Sequence, residues 1–190
     1  LSKLTYHATS AKKDVAMRVV ADHVRAVSFA IADGQLPSSA GAGYVIRRIL
    51  RRAVRYGYSF LNFKEPFIFQ VFQVLEQQMG EAFPELTKNK NLIQSVIKEE
   101  EEGFLRTLEK GIELLENVIH NNPEKEIPGS IAFELFDTFG FPIDLTQLIA
   151  AENQKSIDLL TFESLLQAQK KRSRAATKLE TDDWIELQAG

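Results

Sequence analysis

The chain has 190 residues, 44% of them hydrophobic, with a formal net charge of −3 and no cysteine. That size suits one soluble domain or two small ones. The missing cysteines exclude disulfides, thiolate metal sites and a thiol nucleophile, and the mild acidity means that any nucleic-acid-binding surface must be local.

No apolar run approaches the ~20 residues that span a bilayer, and no signal-peptide pattern is present, so no membrane partner is expected. The chain starts at Leu1 and ends in Gln188-Ala189-Gly190, which reads as a piece of a longer protein. Residues 1–12 are polar and carry little pattern. From Asp14, the positions Val15, Val19, Val20, His23, Val24, Val27, Phe29, Ala30 and Ile31 fit one long amphipathic helix. Asp33-Gly34 should end it, with glycine just past the cap. Leu36 to Gly43 then reads as a loop, with Tyr44 leading into the next helix. Gly41 and Gly43 could cradle an anion at that helix's start or simply turn the chain. They are not a P-loop, because no Gly-Lys-Ser/Thr follows and no strand precedes.

The helix from Val45 to about Tyr56, with Gly57 as its expected stop, has two faces. Val45, Ile46, Ile49, Leu50, Ala53 and Val54 would line a core. Arg47, Arg51 and Arg55 form one i,i+4 ridge, and Arg48 and Arg52 form a second. Like charges at that spacing cost a few tenths of a kcal/mol per pair. Acids from elsewhere in the chain, or phosphates from outside it, must offset that. The guanidinium fork suits phosphate oxygens bidentately, so arginines on one exposed arc point to phosphate contact.

An aromatic connector, Tyr58 to Phe63, leads to Pro66 at a helix N-terminus. Phe67, Ile68, Val71, Phe72, Leu75 and Met79 give that third helix its apolar stripe, and Gly80 and Pro84 close it. Residues 87–119 form the longest periodic segment, interrupted by Lys98-Glu99-Glu100-Glu101-Glu102. This acid run reads as a solvated face or as the partner of the arginines. Adjacent glutamates point different ways around a helix, so a shared metal or an acid–base pair fits poorly. Asn121 to Gly129 is a loop and a candidate linker. Ser130 is a candidate cap for a short helix, Ile131 to Phe136, and Asp137 to Pro142 turns the chain. Leu145–Ala151 and Phe162–Ala176 are the last helices. Lys170-Lys171-Arg172-Ser173-Arg174 is a second basic run, either a nucleic-acid patch or a helix end favoured by the dipole.

His7, His23 and His120 are scattered, so no metal site is expected, and His23 reads as a satisfied core histidine. No serine or lysine sits in a nucleophile setting, so no catalytic residue is assigned. Trp184 reads as a packing anchor. Strand-type alternation is nearly absent. The expected class is all-α: a multi-helix bundle with one long helix and an arginine-rich helix.

Four blocks closely resemble the alanyl-tRNA synthetase family. The first runs from Ala21-Asp22-His23-Val24-Arg25 to Ala32-Asp33-Gly34-Gln35-Leu36-Pro37-Ser38, and the second from Gly43 to Arg55. The third is Glu99-Glu100-Glu101-Glu102-Gly103-Phe104-Leu105-Arg106-Thr107-Leu108-Glu109. The fourth is Phe136-Asp137-Thr138-Phe139-Gly140-Phe141-Pro142-Ile143-Asp144-Leu145-Thr146. They lie in family order and span roughly residues 13–175. The matching region is the family's helical tRNA reader, between the class II catalytic core and the editing domain.

The resemblance implies residues 1–12 as lead-in from the catalytic core and 13–122 as a tRNA-recognition subdomain. A smaller helical subdomain, 123–190, would complete the acceptor-stem site. It implies a cytoplasmic ligase that joins alanine to its tRNA with ATP and Mg²⁺, and Zn²⁺ in the editing domain, with none of these cofactors held by this region. The expected partners are the alanine tRNA acceptor stem and the flanking domains of the same chain. In the family, a G:U wobble pair is read by an asparagine before the arginine helix and by an aspartate in the fourth block. These carry over to Ser39, where this chain departs from the pattern, and to Asp137, with Asp144 as a second candidate. Phe139 stands where tyrosine is usual, and Ala40 and Ala42 depart from the Glu and Arg often seen. Arg47, Arg48, Arg51, Arg52 and Arg55 would divide between stem phosphates and the Glu99–Glu102 face. Two other classes compete: a DNA-binding helical module, and a helical scaffold whose arginines and glutamates satisfy each other.

Overall fold

The computed structural model describes residues 4–9 and 11–178, with side chains to Ser173; Trp184 lies outside the described residues. Among the described residues there are eight helices and two strands of two residues each. The class is all-α. The chain divides into two compact units. The first runs up to Glu113 and includes Phe139–Pro142; the second comprises Leu114–Thr138 and the residues from Ile143 on. The loop around 121–128 lies inside the second unit.

In the first unit, α1 (Lys12–Ala32) packs on α2 (Gly41–Phe60). Val20, Val24, Val27 and Ile31 of α1 are buried, as are Ile46, Leu50, Ala53 and Val54 of α2. Asp14 anchors the lead-in: its carboxylate accepts the N–H of His7 at 3.2 Å and of Thr9 at 3.0 Å. Gly34 adopts φ +85°, and the amides of Gly34 and Gln35 return to the carbonyls of Ile31 and Ala30. That is the glycine stop the sequence predicts for α1. α3 (Ile68–Met79), the short α4 (Pro84–Lys88) and the first part of α5 (Lys90–Asn121) complete the core through Phe72, Leu86, Ile93, Ile97 and Phe104.

Gly57 does not stop α2. The helix continues to Phe60, and the bare Cα of Gly57 lies against the Phe67 ring, where a Cβ would not fit. Its glycine serves close packing of the connector, not termination. α3 starts at Ile68, two residues past Pro66.

In the second unit, α6 (Gly129–Asp137), α7 (Ile143–Glu152) and α8 (Leu159–Lys178) surround a parallel pair, β1 (Glu126–Ile127) and β2 (Ser156–Ile157). Two residues per strand are too few to leave an alternating pattern. Ser130 does not cap α6; Pro128 holds the N-cap position and no side chain bonds there. Gly129 instead abuts the backbone at Asp158 and Phe162, which leaves no room for a Cβ. Ile127, Ala132, Leu135, Leu145, Ile149 and Phe162 form this core.

Candidate nucleic-acid interface

Gly41, Gly43 and Tyr44 form the first turn of α2, not the loop before it. Gly41 takes φ +59°, and Gly43 is packed against the Leu36 carbonyl and the Ser38 side chain. The left-handed backbone accounts for Gly41 and close packing for Gly43. Ser38 donates its hydroxyl to the Ala40 carbonyl at 2.7 Å, and Ser39 stands exposed beside it.

The five arginines do not share one exposed arc. Arg51 and Arg55 are buried, at 9% and 4% exposure, while Arg47, Arg48 and Arg52 are half-buried. Glu100 of α5 accepts from Arg47 Nε at 3.0 Å and from Arg51 Nη2 at 3.5 Å. Burial pulls the Arg51 guanidinium below its ordinary pKa, Arg47 adds to this, and Glu100 opposes it. Aromatic faces take up further charge. Arg48 lies 5.9 Å from the Tyr44 ring centre and Arg51 4.9 Å from that of Phe104. Tyr56 lies 6.0 Å from Arg52 and 5.3 Å from Arg55, and Phe60 lies 4.9 Å from Arg55. Each such contact contributes about 0.5–1 kcal/mol when exposed and more when desolvated. One shared carboxylate and several rings therefore offset much of the ridge's self-repulsion.

Arg52 stands apart. Among the described residues no carboxylate lies within ion-pair distance of it; its buried Nε lacks a hydrogen-bond partner, as that of Arg51 also does. Its charge is felt by His23 of α1, whose ring lies 3.7 Å from Asp22, itself paired with Arg25 at 3.0 Å. Desolvation first, and Arg52 second, lower the His23 pKa below 6.5. In the window just below 6.5 the unfolded chain binds more protons at this site than the folded one, so stability falls as pH drops through it. Urea midpoints of the parent and His23→Gln should therefore diverge between pH 7.5 and 5.5, with the parent losing more. Parallel pH profiles would refute this.

The base-reading candidates occupy different units. Asp137 is the last residue of α6, exposed, and its Oδ1 accepts the Nε2–H of Gln169 on α8. Asp144 sits in the first turn of α7, half-buried, where the helix dipole favours a carboxylate.

The sequence profile described as tRNA synthetases class II (A) matches residues 1–189. The chain belongs to this synthetase family. It is 61% identical over 178 residues to the alanine–tRNA ligase of Christiangramia forsetii, covering 94% of this chain and 20% of that protein. It is 58% identical over 179 residues to the alanine–tRNA ligase of Flavobacterium psychrophilum, covering 94% and 20%. The alanine–tRNA ligase of Bacteroides fragilis is 54% identical over 189 residues, covering 98% and 22%. The chain thus spans about a fifth of the length of the curated relatives it matches.

In this synthetase chain the acid run divides by face. Glu100 serves the arginines and Glu102 lies 3.7 Å from Lys98. Glu101, fully buried, accepts the backbone N–H groups of Phe67, Ile68 and Phe69 at 2.9–3.1 Å. It caps α3 from across the core, a role the sequence reading missed. A signal was present: Glu101 falls in register with Ile97, Phe104 and Leu108 on the apolar stripe. The aromatic partners of the arginines were also visible, since Tyr44 and Tyr56 lie four residues from Arg48 and Arg52. Lys170, Lys171 and Arg172 are exposed on α8, which runs on to Lys178, so they do not form its last turn. Among the described residues no three His, Cys, Asp or Glu side chains are grouped to hold a metal, and no helix is long and apolar enough to cross a membrane.

Proposed function

We propose that this chain is the acceptor-stem-binding part of a cytoplasmic alanine–tRNA ligase. The whole enzyme would activate alanine with ATP and Mg²⁺ and transfer it to the tRNA 3′ end. Those sites, and the Zn²⁺ of an editing domain, would lie in other parts of the protein; the described residues offer no ligand set for a metal.

The observation that carries this reading is Arg52: a half-buried guanidinium on the arginine ridge, without a carboxylate partner among the described residues. A scaffold of mutually satisfied charges would pair it. A recognition helix in a DNA major groove needs an open face, whereas Arg51 and Arg55 of α2 are buried. A stem phosphate meets Arg52's need, with Arg47 and Arg48 beside it.

Base reading falls to Asp137. A-form RNA presents a wide, shallow minor groove. A G:U wobble leaves the guanine exocyclic amine there without a base partner, and an ionised carboxylate can only accept. A carboxylate at a helix C-terminus is disfavoured by the dipole, so its position asks for a reason beyond stability. Gln169 holds one oxygen, and among the described residues Oδ2 has no partner. Ser39, exposed before α2, has a shorter reach than asparagine and would act through water. Asp144 is the weaker reader, since it is half-buried in a favoured helical position.

Arg52→Gln tests the phosphate role. It should weaken binding of G:U and G:C acceptor-stem hairpins alike and lower the log–log salt slope by about 1. An unchanged slope would remove Arg52 from the contact.

A further inference from the structure

Two segments of the second unit share one plan, a two-residue strand followed by a helix. β1 leads into α6 and β2 into α8, and the strands pair in parallel with Glu126 opposite Ser156 and Ile127 opposite Ile157. The two helices therefore start side by side, with Gly129 against the backbone at Asp158 and Phe162. Phe162 of α8 is buried and meets Phe133 and Phe136 of α6, with ring centres 6.5 and 5.8 Å away. Leu165 and Leu166 follow at i+3 and i+4, both half-buried, and continue that face. The next position of the stripe, i+7, is Gln169, where the period calls for an apolar residue. Its Nε2–H donates to Asp137 Oδ1 at the end of α6.

Packing explains the apolar members of this stripe but not the glutamine. We propose that Gln169 is a positioning residue for base reading: it fixes the Asp137 carboxylate by one oxygen and leaves the other, Oδ2, to accept from the wobble guanine amine. This rests on the reading that Asp137 contacts the wobble pair. An exposed aspartate at a helix end has more than one staggered side-chain well open to it. Ordering it when RNA binds draws on the energy that separates a right base pair from a wrong one. A donor on the facing helix selects one well beforehand, and it offsets the unfavourable field of the α6 C-terminus. Asp137, Gln169 and the contacts that set their spacing all lie in the second unit.

The test uses the 190-residue chain with G:U and G:C acceptor-stem hairpins. The variants are Asp137→Ala, Gln169→Met, the two combined, and Phe133→Leu. Methionine keeps length and packing without the donor, and Gln169→Ala takes its place should Gln169→Met not fold. Phe133→Leu loosens the same helix pair and leaves the hydrogen bond, so it reports what a merely structural role would do. Circular dichroism melts set each variant's stability beside its binding. The parent should prefer G:U by roughly 10-fold or more, and Gln169→Met should fall to within about 3-fold with G:C affinity unchanged. Phe133→Leu should melt at lower temperature and keep the preference. Because Gln169 acts through Asp137, adding Gln169→Met to Asp137→Ala should shift neither hairpin's affinity by more than about 2-fold. This comparison carries the distinction alone should Phe133→Leu not fold. Full preference in Gln169→Met, or equal loss on both hairpins, overturns the proposal. So does an equal loss of preference in Phe133→Leu, or additive losses in the combined variant, which would make Gln169 an RNA contact in its own right. A parent without preference, or an Asp137→Ala variant that keeps it, overturns base reading itself, and both outcomes are visible before Gln169 is touched.

Discussion

Glu101→Ala should destabilise the chain by about 2 kcal/mol or more, because it strands the buried N–H groups of Phe67 and Ile68 at roughly 1–3 kcal/mol each and the half-buried one of Phe69 besides. The carboxylate is fully buried and receives Phe67, Ile68 and Phe69 at 3.0, 2.9 and 3.1 Å. Among the described residues no other side chain caps the start of α3. A typical domain holds only about 5–15 kcal/mol in reserve, so a loss of this size is a substantial part of it. Glu101→Gln is the graded control. Its oxygen can serve Phe67 and Ile68, but its amide would then face the Phe69 donor, so a smaller loss follows. Urea unfolding measures both, and a Glu101→Ala variant within about 0.5 kcal/mol of the parent would refute the capping role. Burial raises the Glu101 pKa above 4.5 although the three N–H groups pull it down. The folded state then binds more protons than the unfolded one between 4.5 and the raised value, so the parent gains stability relative to Glu101→Gln as pH falls through that window.

The second large effect concerns RNA. Affinity for an alanine acceptor-stem hairpin should fall about 10- to 100-fold between ~50 and ~200 mM salt, as expected for roughly two to four phosphates neutralised. Arg47, Arg48 and Arg52 are the α2 cations with some exposure, and they set that number. The net charge of −3 makes the effect a property of this local ridge, not of the whole chain. Affinity that holds constant across that range would sink the phosphate role, since a polar surface without ion release shows little slope.

Much of the fold was legible because it is written locally. The apolar period placed α1, α2 and α5, and Gly34 marked the end of α1 by the positive φ that glycine permits. What failed depends on residues distant in sequence. Gly57 looks like a stop until Phe67 folds back onto it. Ser130 looks like a cap, but Gly129 is the residue the packing demands. In the candidate interface, the ridge and its need for counter-charge were readable, and Glu100 answers part of it. The burial of Arg51 was not, because it is decided by Phe104 and Gly140 from distant parts of the chain. Asp137's site carried a visible motif, whereas its Gln169 partner on α8 could not be read from either segment alone.

The central claim, that this chain reads a wobble pair in an acceptor stem through Asp137, is tested most directly by one binding series. Hairpins with G:U and G:C at the wobble position are titrated against the parent and against Asp137→Ala at one salt concentration. The parent should bind the G:U hairpin roughly 10-fold or more tighter, and the variant should lose that margin by weakening G:U while G:C stays within about 2-fold. Equal losses on both hairpins, or an unchanged margin, would contradict the claim and leave Asp137 a residue that positions the RNA or does not touch it.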